Sequence, residues 1–233
     1  MEIISLGSSS NGNAYKVSDG SSTLLLDAGL PVGRLKEKFR FRLSQVDAVL
    51  VTHEHKDHAE AVKDLLNMGI QVYASQGTFE AIGVCRGNII QVGNSFGIGS
   101  FEILPFSVIH DAVEPLGFLL QSNVTKEKLL YVTDTAYVPY NFRGLTHIMM
   151  EVNYVSSVIA ENVESGLVPA GLARRVRKTH MSLDNALTFL KENTGPELEE
   201  VWLLHLSDEN SDERLIKQSI QRIVGVPVYV AGK

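Results

Sequence analysis

Three imidazoles and a carboxylate fall within six residues of the stretch Thr52-His-Glu-His-Lys-Asp-His58: His53, His55, Asp57 and His58. Imidazole nitrogen and carboxylate oxygen are the donors that Zn2+, Mn2+ and iron accept. Four ionisable groups this close would repel one another, or sit unsatisfied in a core, unless a cation gathered them. A solvated polar turn would explain any one of these histidines, but the spacing of the set points to a metal site. Such a site needs a rigid strand end followed by a loop that can turn several side chains toward one point.

The neighbouring sequence supplies that framework. Val46–Thr52 is almost purely apolar, as a strand covered on both faces would be, and Ala59–Met68 reads as an amphipathic helix closed by Gly69. Ile3–Leu6, Ala14–Val17, Thr23–Leu26 and Gln71–Ala74 read as further strands, with a tight turn at Ser18–Gly20 and a short helix at Ser75–Ile82. Later strands are expected at Phe101–Ile109, Pro115–Gln121, Lys128–Thr133, Thr146–Met150, Val201–His205 and Val226–Val230. Helices are expected around Val155–Glu164, Leu183–Asn193 and Asp212–Val224. Strands grouped early and again in the middle, each group followed by helices, predict an α/β architecture of two sheets packed face to face with helices outside. No linker or low-complexity segment divides the chain, so residues 1–233 are expected to form a single domain of two similar halves.

Composition narrows the function classes. Hydrophobic residues make up 44% and charged residues 21%, which excludes a disordered chain. The one cysteine, Cys85, excludes an internal disulfide and fits a reducing compartment. The N-terminus has no basic region ahead of an apolar stretch, and no apolar run approaches bilayer length, so a cytoplasmic protein without a membrane partner is expected. A net charge of −6 argues against a generic nucleic-acid coat but leaves room for an enzyme that meets nucleic acid at a local basic patch. Oligomeric state is not encoded in anything legible, which leaves a homo-oligomer open.

The His-x-His-x-Asp-His stretch resembles the signature of the metallo-β-lactamase superfamily, and further motifs follow in that superfamily's order: His110, Asp134 in Tyr-Val-Thr-Asp-Thr, and His205 in Leu-Leu-His-Leu-Ser. The resemblance implies an αββα four-layer sandwich of two mixed sheets holding two divalent ions, Zn2+ or Mn2+. His53, His55 and His110 would hold one ion, Asp57, His58 and His205 the other, and Asp134 would bridge them. Ser9-Ser-Asn-Gly-Asn-Ala14, Leu25-Leu-Asp-Ala-Gly29 and His110-Asp-Ala-Val-Glu-Pro-Leu-Gly-Phe118 look like the YycJ/WalJ branch, bacterial and phage proteins associated with DNA exonuclease activity. Two segments depart from that branch: its Glu-x-Asn-His-Asp stands here as Glu151-Val-Asn-Tyr-Val155, and its Gly-His-x-Ser-Asn as Thr179-His-Met-Ser-Leu183.

By this resemblance the chemistry is phosphodiester hydrolysis by a hydroxide bridging the two ions, with nucleic acid as substrate and DNA favoured. A small cyclic nucleotide, RNA or another small molecule is the alternative substrate, and a degenerate binding module is the non-enzyme alternative. Asp57 belongs to the catalytic set. A departing alkoxide needs a proton, for which His180 is the candidate donor and Glu151 the orienting carboxylate, as in tRNase Z-type phosphodiesterases. His180 could instead cap the helix at Leu183–Asn193. Asp27 would orient a ligand histidine or cap a turn, and Asp111 would act likewise beside His110. Arg174, Arg175, Arg177 and Lys178 would meet a phosphate backbone, or else form an exposed helical face. His147 reads as a structural residue. No aromatic–basic interleaving of the kind that stacks single-stranded bases is expected.

Overall fold

Leu24-Leu-Leu26 and Ala48-Val-Leu50 have no polar face to offer water, and the chain buries both in neighbouring parallel strands. The computed structural model describes residues 1–232, which form two units. The first comprises Met1–Ser107, Ala112–Glu127 and Gly232; the second comprises Val108–Asp111 and Lys128–Ala231.

In the first unit, β1 (Glu2–Gly7), β2 (Ala14–Ser18), β3 (Thr23–Leu26), β4 (Ala48–Leu50), β5 (Val72–Ala74) and β6 (Asn88–Ile89) form one sheet in sequential order. Pairing is antiparallel from β1 to β3 and parallel from β3 to β6, so the sheet is mixed. Helices α1 (Val32–Lys38), α2 (Lys56–Ala59), α3 (Val62–Asn67) and α4 (Gln76–Ile82) connect its strands. Leu25, Val49, Leu65, Val72 and Phe79 from these elements share one buried cluster. β7 (Phe96–Ile98), β8 (Phe101–Ser107) and β9 (Leu116–Ser122) follow as an antiparallel meander.

The second unit holds β10 (Lys128–Val132), β11 (His147–Glu151), β12 (Glu200–Leu204) and β13 (Val228–Val230), all parallel and in sequential order. β11 is buried at every position, as a central parallel strand should be. Helices α5 (Ser156–Glu164), α6 (Ala170–Thr179), α7 (Leu183–Asn193) and α8 (Glu213–Val224) supply the crossovers and flanks. α8 buries Ile216, Ile220 and Val224, spaced four apart on one face, and opens on an Asp212 cap whose side chain accepts the Leu215 N–H.

Most expected elements appear with small shifts of boundary, two expectations are corrected, and four elements are added. The helix expected over Ala59–Met68 is two helices, because the Ala61 N–H leaves the helical ladder to donate to the Ala28 carbonyl at 2.9 Å. The strand expected over Phe101–Ile109 stops at Ser107. Helices α1 and α6 and strands β6 and β7 were not expected from the sequence. Both helices carry a short apolar stripe, Val32, Leu35 and on to Phe39 for α1 and Ala173 with Val176 for α6, interleaved with the cations Arg34, Lys36, Arg174, Arg175 and Arg177.

Candidate metal centre and proton donor

In the first unit the chemistry gathers beyond the ends of β3 and β4, which stop side by side at Leu26 and Leu50. Ligand sites beyond the carboxyl ends of parallel strands are the general rule for such sheets. Asp27 follows β3 with φ +56°, a left-handed backbone uncommon outside glycine, and its side chain is wholly buried. Its Oδ1 accepts the Thr52 N–H at 2.8 Å and the Thr52 hydroxyl at 2.9 Å, while Oδ2 lies 2.7 Å from His58 Nδ1. A carboxylate at Nδ1 places the proton there and the lone pair on Nε2. His58 Nε2 then sits 3.5 Å from Asp57 Oδ2. His53 takes its bearings from the Thr52 hydroxyl, 3.0 Å from Nδ1, and its Nε2 lies 3.1 Å from His55 Nδ1.

A third segment closes in from the other side. The Asn13 backbone N–H donates to the Asp57 carbonyl at 2.7 Å, and its Nδ2 lies 3.1 Å from His58 Nε2 and 3.4 Å from Asp57 Oδ2. Asn13 is itself held by the Tyr15 hydroxyl, which donates to its Oδ1 at 3.2 Å. Only glycine fits at position 29 here, since a Cβ would lie 1.7 Å from the Asp57 carbonyl oxygen. Asn13 lies within the Ser9-Ser-Asn-Gly-Asn-Ala14 stretch, but its contact with Asp57, like the roles of Thr52 and Tyr15, carries no spacing signal in the sequence.

The second unit repeats the arrangement at the ends of β10, β11 and β12. Asp134 lies just beyond β10, Glu151 ends β11, and His205 follows β12 with φ +52°. Asp134 Oδ2 is 3.6 Å from His110 Nε2, and its Oδ1 is 3.3 Å from His205 Nδ1. His110 donates from Nδ1 to the Thr179 carbonyl at 2.8 Å, again placing the lone pair on Nε2. Burial holds the His110 pKa below the usual imidazole value despite the nearby Asp134 carboxylate.

Glu151 ties this unit together. Its Oε1 lies 2.5 Å from His180 Nδ1 and 3.1 Å from His205 Nδ1, and its Oε2 accepts the N–H groups of Thr135 at 3.1 Å and Met181 at 3.0 Å. Burial would raise the Glu151 pKa, yet the His180 charge and hydrogen bonds from His180 and His205 hold it below its ordinary value. His180 is the converse: burial would lower its pKa, and the Glu151 charge, its hydrogen bond and then Asp134 raise it.

The helix-capping alternative for His180 is overturned. α7 is capped by Ser182, whose side chain accepts the Asn185 N–H at 3.1 Å, and His180 instead follows α6 with its N–H on the Val176 carbonyl. Asp111 does not orient His110 through Nδ1, the nitrogen that the Thr179 carbonyl takes; its Oδ1 lies 3.3 Å from Nε2 and its Oδ2 accepts Arg175 Nε at 2.7 Å. Arg174, Arg175, Arg177 and Lys178 are all exposed on α6, and among the described residues Arg175 is the one of them held by an acid, Asp111. His147, at the start of β11, is buried with its Nδ1 2.7 Å from the Thr146 hydroxyl.

The two departures from the YycJ/WalJ pattern are neighbours. Tyr154 and Ser182 form a parallel bridge, the Leu183 N–H donates to the Tyr154 carbonyl at 2.9 Å, and Tyr154, Val155 and Leu183 are all buried. Apolar packing thus occupies both changed segments at once. Asn153, which matches the pattern, donates from Nδ2 to the His205 carbonyl at 3.0 Å.

The donor chemistry of both sets fits divalent ions. In each unit, imidazoles have one ring nitrogen engaged by an oxygen acceptor, the tautomer arrangement metal ligation needs. Within the second unit, Asp134, Glu151, His180 and His205 also offer donor atoms within 4.8 Å of one another.

Comparison with known proteins agrees with this chemistry. The chain is 29% identical over 232 residues to exodeoxyribonuclease YycJ of Bacillus anthracis, covering 94% of this chain and 87% of that one. It is 27% identical to exodeoxyribonuclease WalJ of Streptococcus pneumoniae, covering 96% and 90% respectively. Among solved structures, the metallo-β-lactamase fold protein YhfI from Bacillus subtilis superposes with a TM-score of 0.74 at 17% identity, covering 99% of this chain and 97% of that chain. That likeness of fold bears out the α/β metallo-β-lactamase fold of mixed sheets and helices expected from the sequence. The model of the family described as a beta-lactamase superfamily domain matches residues 22–205, and the chain belongs to that family as a metallo-β-lactamase-fold, metal-dependent hydrolase.

Proposed function

We propose that the protein is a nuclease that hydrolyses phosphodiester bonds of nucleic acid, with DNA as the preferred substrate and removal from an end as the mode. In this reading the two units are the halves of one catalytic domain. His53, His55 and His110 would hold one divalent ion, Asp57, His58 and His205 would hold a second, and Asp134 would serve both. When bound, such ions lower the pKa of water and polarise a phosphoryl oxygen, which is the chemistry phosphodiester hydrolysis needs.

The chain's own residues supply the rest. Asp27 and the Thr179 carbonyl fix the proton positions of His58 and His110, so their lone pairs are set before any ligand arrives. Glu151 engages His180 through Nδ1 and raises its pKa, which favours the protonated ring and leaves Nε2 to deliver a proton to the departing alkoxide oxygen. That pair is the observation that carries the reading. A poor leaving group such as a nucleoside alkoxide gains most from a positioned acid, and the buried Glu151 both orients the acid and favours its protonated form. Arg174, Arg177 and Lys178, exposed on α6 just before His180, would meet the phosphates next to the scissile bond. The relatives whose names carry exodeoxyribonuclease activity support the substrate class.

A panel of end-labelled duplex DNA, single-stranded DNA, RNA, a cyclic nucleotide and a chromogenic lactam, each with Mn2+ or Zn2+, tests the proposal. Release of mononucleotides from DNA, abolished by chelator, is expected. Turnover of the cyclic nucleotide or the lactam alone would remove the nuclease assignment.

A further inference from the structure

Contrary to the expectation that the chain has no aromatic–basic interleaving, Lys38-Phe39-Arg40-Phe41-Arg42 alternates cations with aromatics. With Arg34, Lys36 and Glu37 just before it, the segment from 34 to 42 holds five cations and one acid in a chain whose net charge is −6. The segment leaves α1 through a pair of hydrogen bonds, Arg40 N–H to the Glu37 carbonyl at 2.8 Å and Phe41 N–H to the Lys36 carbonyl at 2.6 Å. That helix stop ordinarily places glycine at the first of these positions, because the backbone there is left-handed. Here Arg40 has φ +49° and Phe41 φ +60°, so two bulky residues occupy a conformation that glycine would take without steric cost. Phe39 packs on the core, whereas Phe41 is 77% exposed, and Lys38, Arg40 and Arg42 are exposed as well. Beside them runs a groove of about 570 Å3 with Ile4 and Leu6 in its lining and Lys38, Arg40 and Arg42 among its cations. Lys16, also in the groove, is held by Glu2 at 2.7 Å.

We propose that this strap and groove dock single-stranded nucleic acid, with Phe41 stacking on a base and Lys38, Arg40 and Arg42 meeting successive phosphates. The inference builds on the nucleic-acid reading of the substrate and names a place, outside the residues assigned to the reaction, where the strand is held. Cations alternating with an exposed flat ring suit a flexible polyanion with stackable bases. An anionic membrane would instead favour a continuous apolar face below the cations, and the concave groove argues for a threaded strand.

Fluorescence polarisation of a labelled oligothymidylate in chelator reads binding without cleavage. Phe41→Ala is expected to weaken binding about tenfold, within the range for loss of one stacked base. Arg40→Gly with Arg42→Ala is expected to reduce the slope of log affinity against log salt by about 1.4, at about 0.7 for each phosphate of a single strand left without its cation. Because glycine suits the backbone at position 40, the Arg40→Gly single variant should melt no lower than the wild type while binding more weakly, which separates docking from folding. Arg214→Ala with Lys217→Ala, an equal loss of charge on α8, should match the wild type. Wild-type affinity in the strap variants, equal loss in the α8 control, or no binding by the wild type would each overturn the proposal. So would loss of binding to phosphatidylserine vesicles with oligonucleotide affinity intact, which would assign the strap to a membrane. Hydrolysis of DNA by the wild type in Mn2+, measured in parallel, judges the catalytic reading separately.

Discussion

Glu151 is the residue on which most of the second unit's chemistry turns, since its four hydrogen bonds reach His180, His205, Thr135 and Met181. Two consequences can be measured. His180→Ala should bind metal as the wild type does yet lower kcat on DNA by roughly 10²- to 10⁴-fold, the usual span for loss of a general acid; undiminished kcat would return His180 to a structural role. Glu151→Gln removes the charge that raises the His180 pKa. The imidazolium needed as acid is then lost at a lower pH, so the alkaline limb of the kcat profile should move toward acid. An unmoved limb would separate the two residues functionally. Asp27 invites a different test, because its hydrogen bonds converge on Thr52 and His58. Asp27→Ala should weaken metal binding by about 10- to 100-fold, as removal of such orienting partners typically does, and calorimetric titration with Mn2+ reads this directly.

Among elements, the turn between β2 and β3 shows how this fold pins loops without metal. Asp19 is buried and accepts the N–H groups of Ser21 and Ser22, and its Oδ2 takes the hydroxyls of Ser100 and Ser122 at 2.6 Å each. The β2–β3 turn is thereby fastened to the β7–β8 turn and to the end of β9. Burial alone would raise the Asp19 pKa, but these four donors lower it from 3.8 to about 2. A carboxylate with a depressed folded pKa stabilises fully above its unfolded value, and that contribution disappears as pH falls from 3.8 through about 2. Asp19→Ala should therefore cost about 2 kcal/mol near neutral pH, in keeping with hydrogen bonds to a charged acceptor. Its urea midpoint should converge on the wild type's as pH approaches 2; a constant gap would contradict the linkage. The sequence made Ser18–Gly20 legible as a turn but not this anchoring, whose donors lie some eighty to one hundred residues away in the chain. Strands were readable where apolar or β-branched runs met glycine, asparagine, aspartate or serine, as at Gly7, Ser18, Asp27 and Asn123. α1 and α6 were not, since their short apolar stripes, Val32 with Leu35 and Ala173 with Val176, are broken up by neighbouring cations.

For the molecule as a whole, the His-x-His-x-Asp-His stretch was the most legible feature, because a local ligand cluster is visible as spacing. The family likeness then named His110, Asp134 and His205, which no local pattern would have linked. Each unit gathers its own share of those residues at the ends of parallel strands: Asp57 and His58 beside Asp27 in the first, His110 and His205 beside Asp134 in the second. What stayed hidden was whatever acts through backbone or a single side chain, such as the Thr179 carbonyl on His110 and Asn13 on Asp57. In the proposed function these residues together bind a pair of divalent cations. Elemental analysis of chelator-stripped protein reconstituted with Mn2+ or Zn2+ and desalted counts them. Two ions per chain in the wild type, with a clear loss in Asp134→Ala, is the predicted result; fewer than one ion per wild-type chain would contradict it.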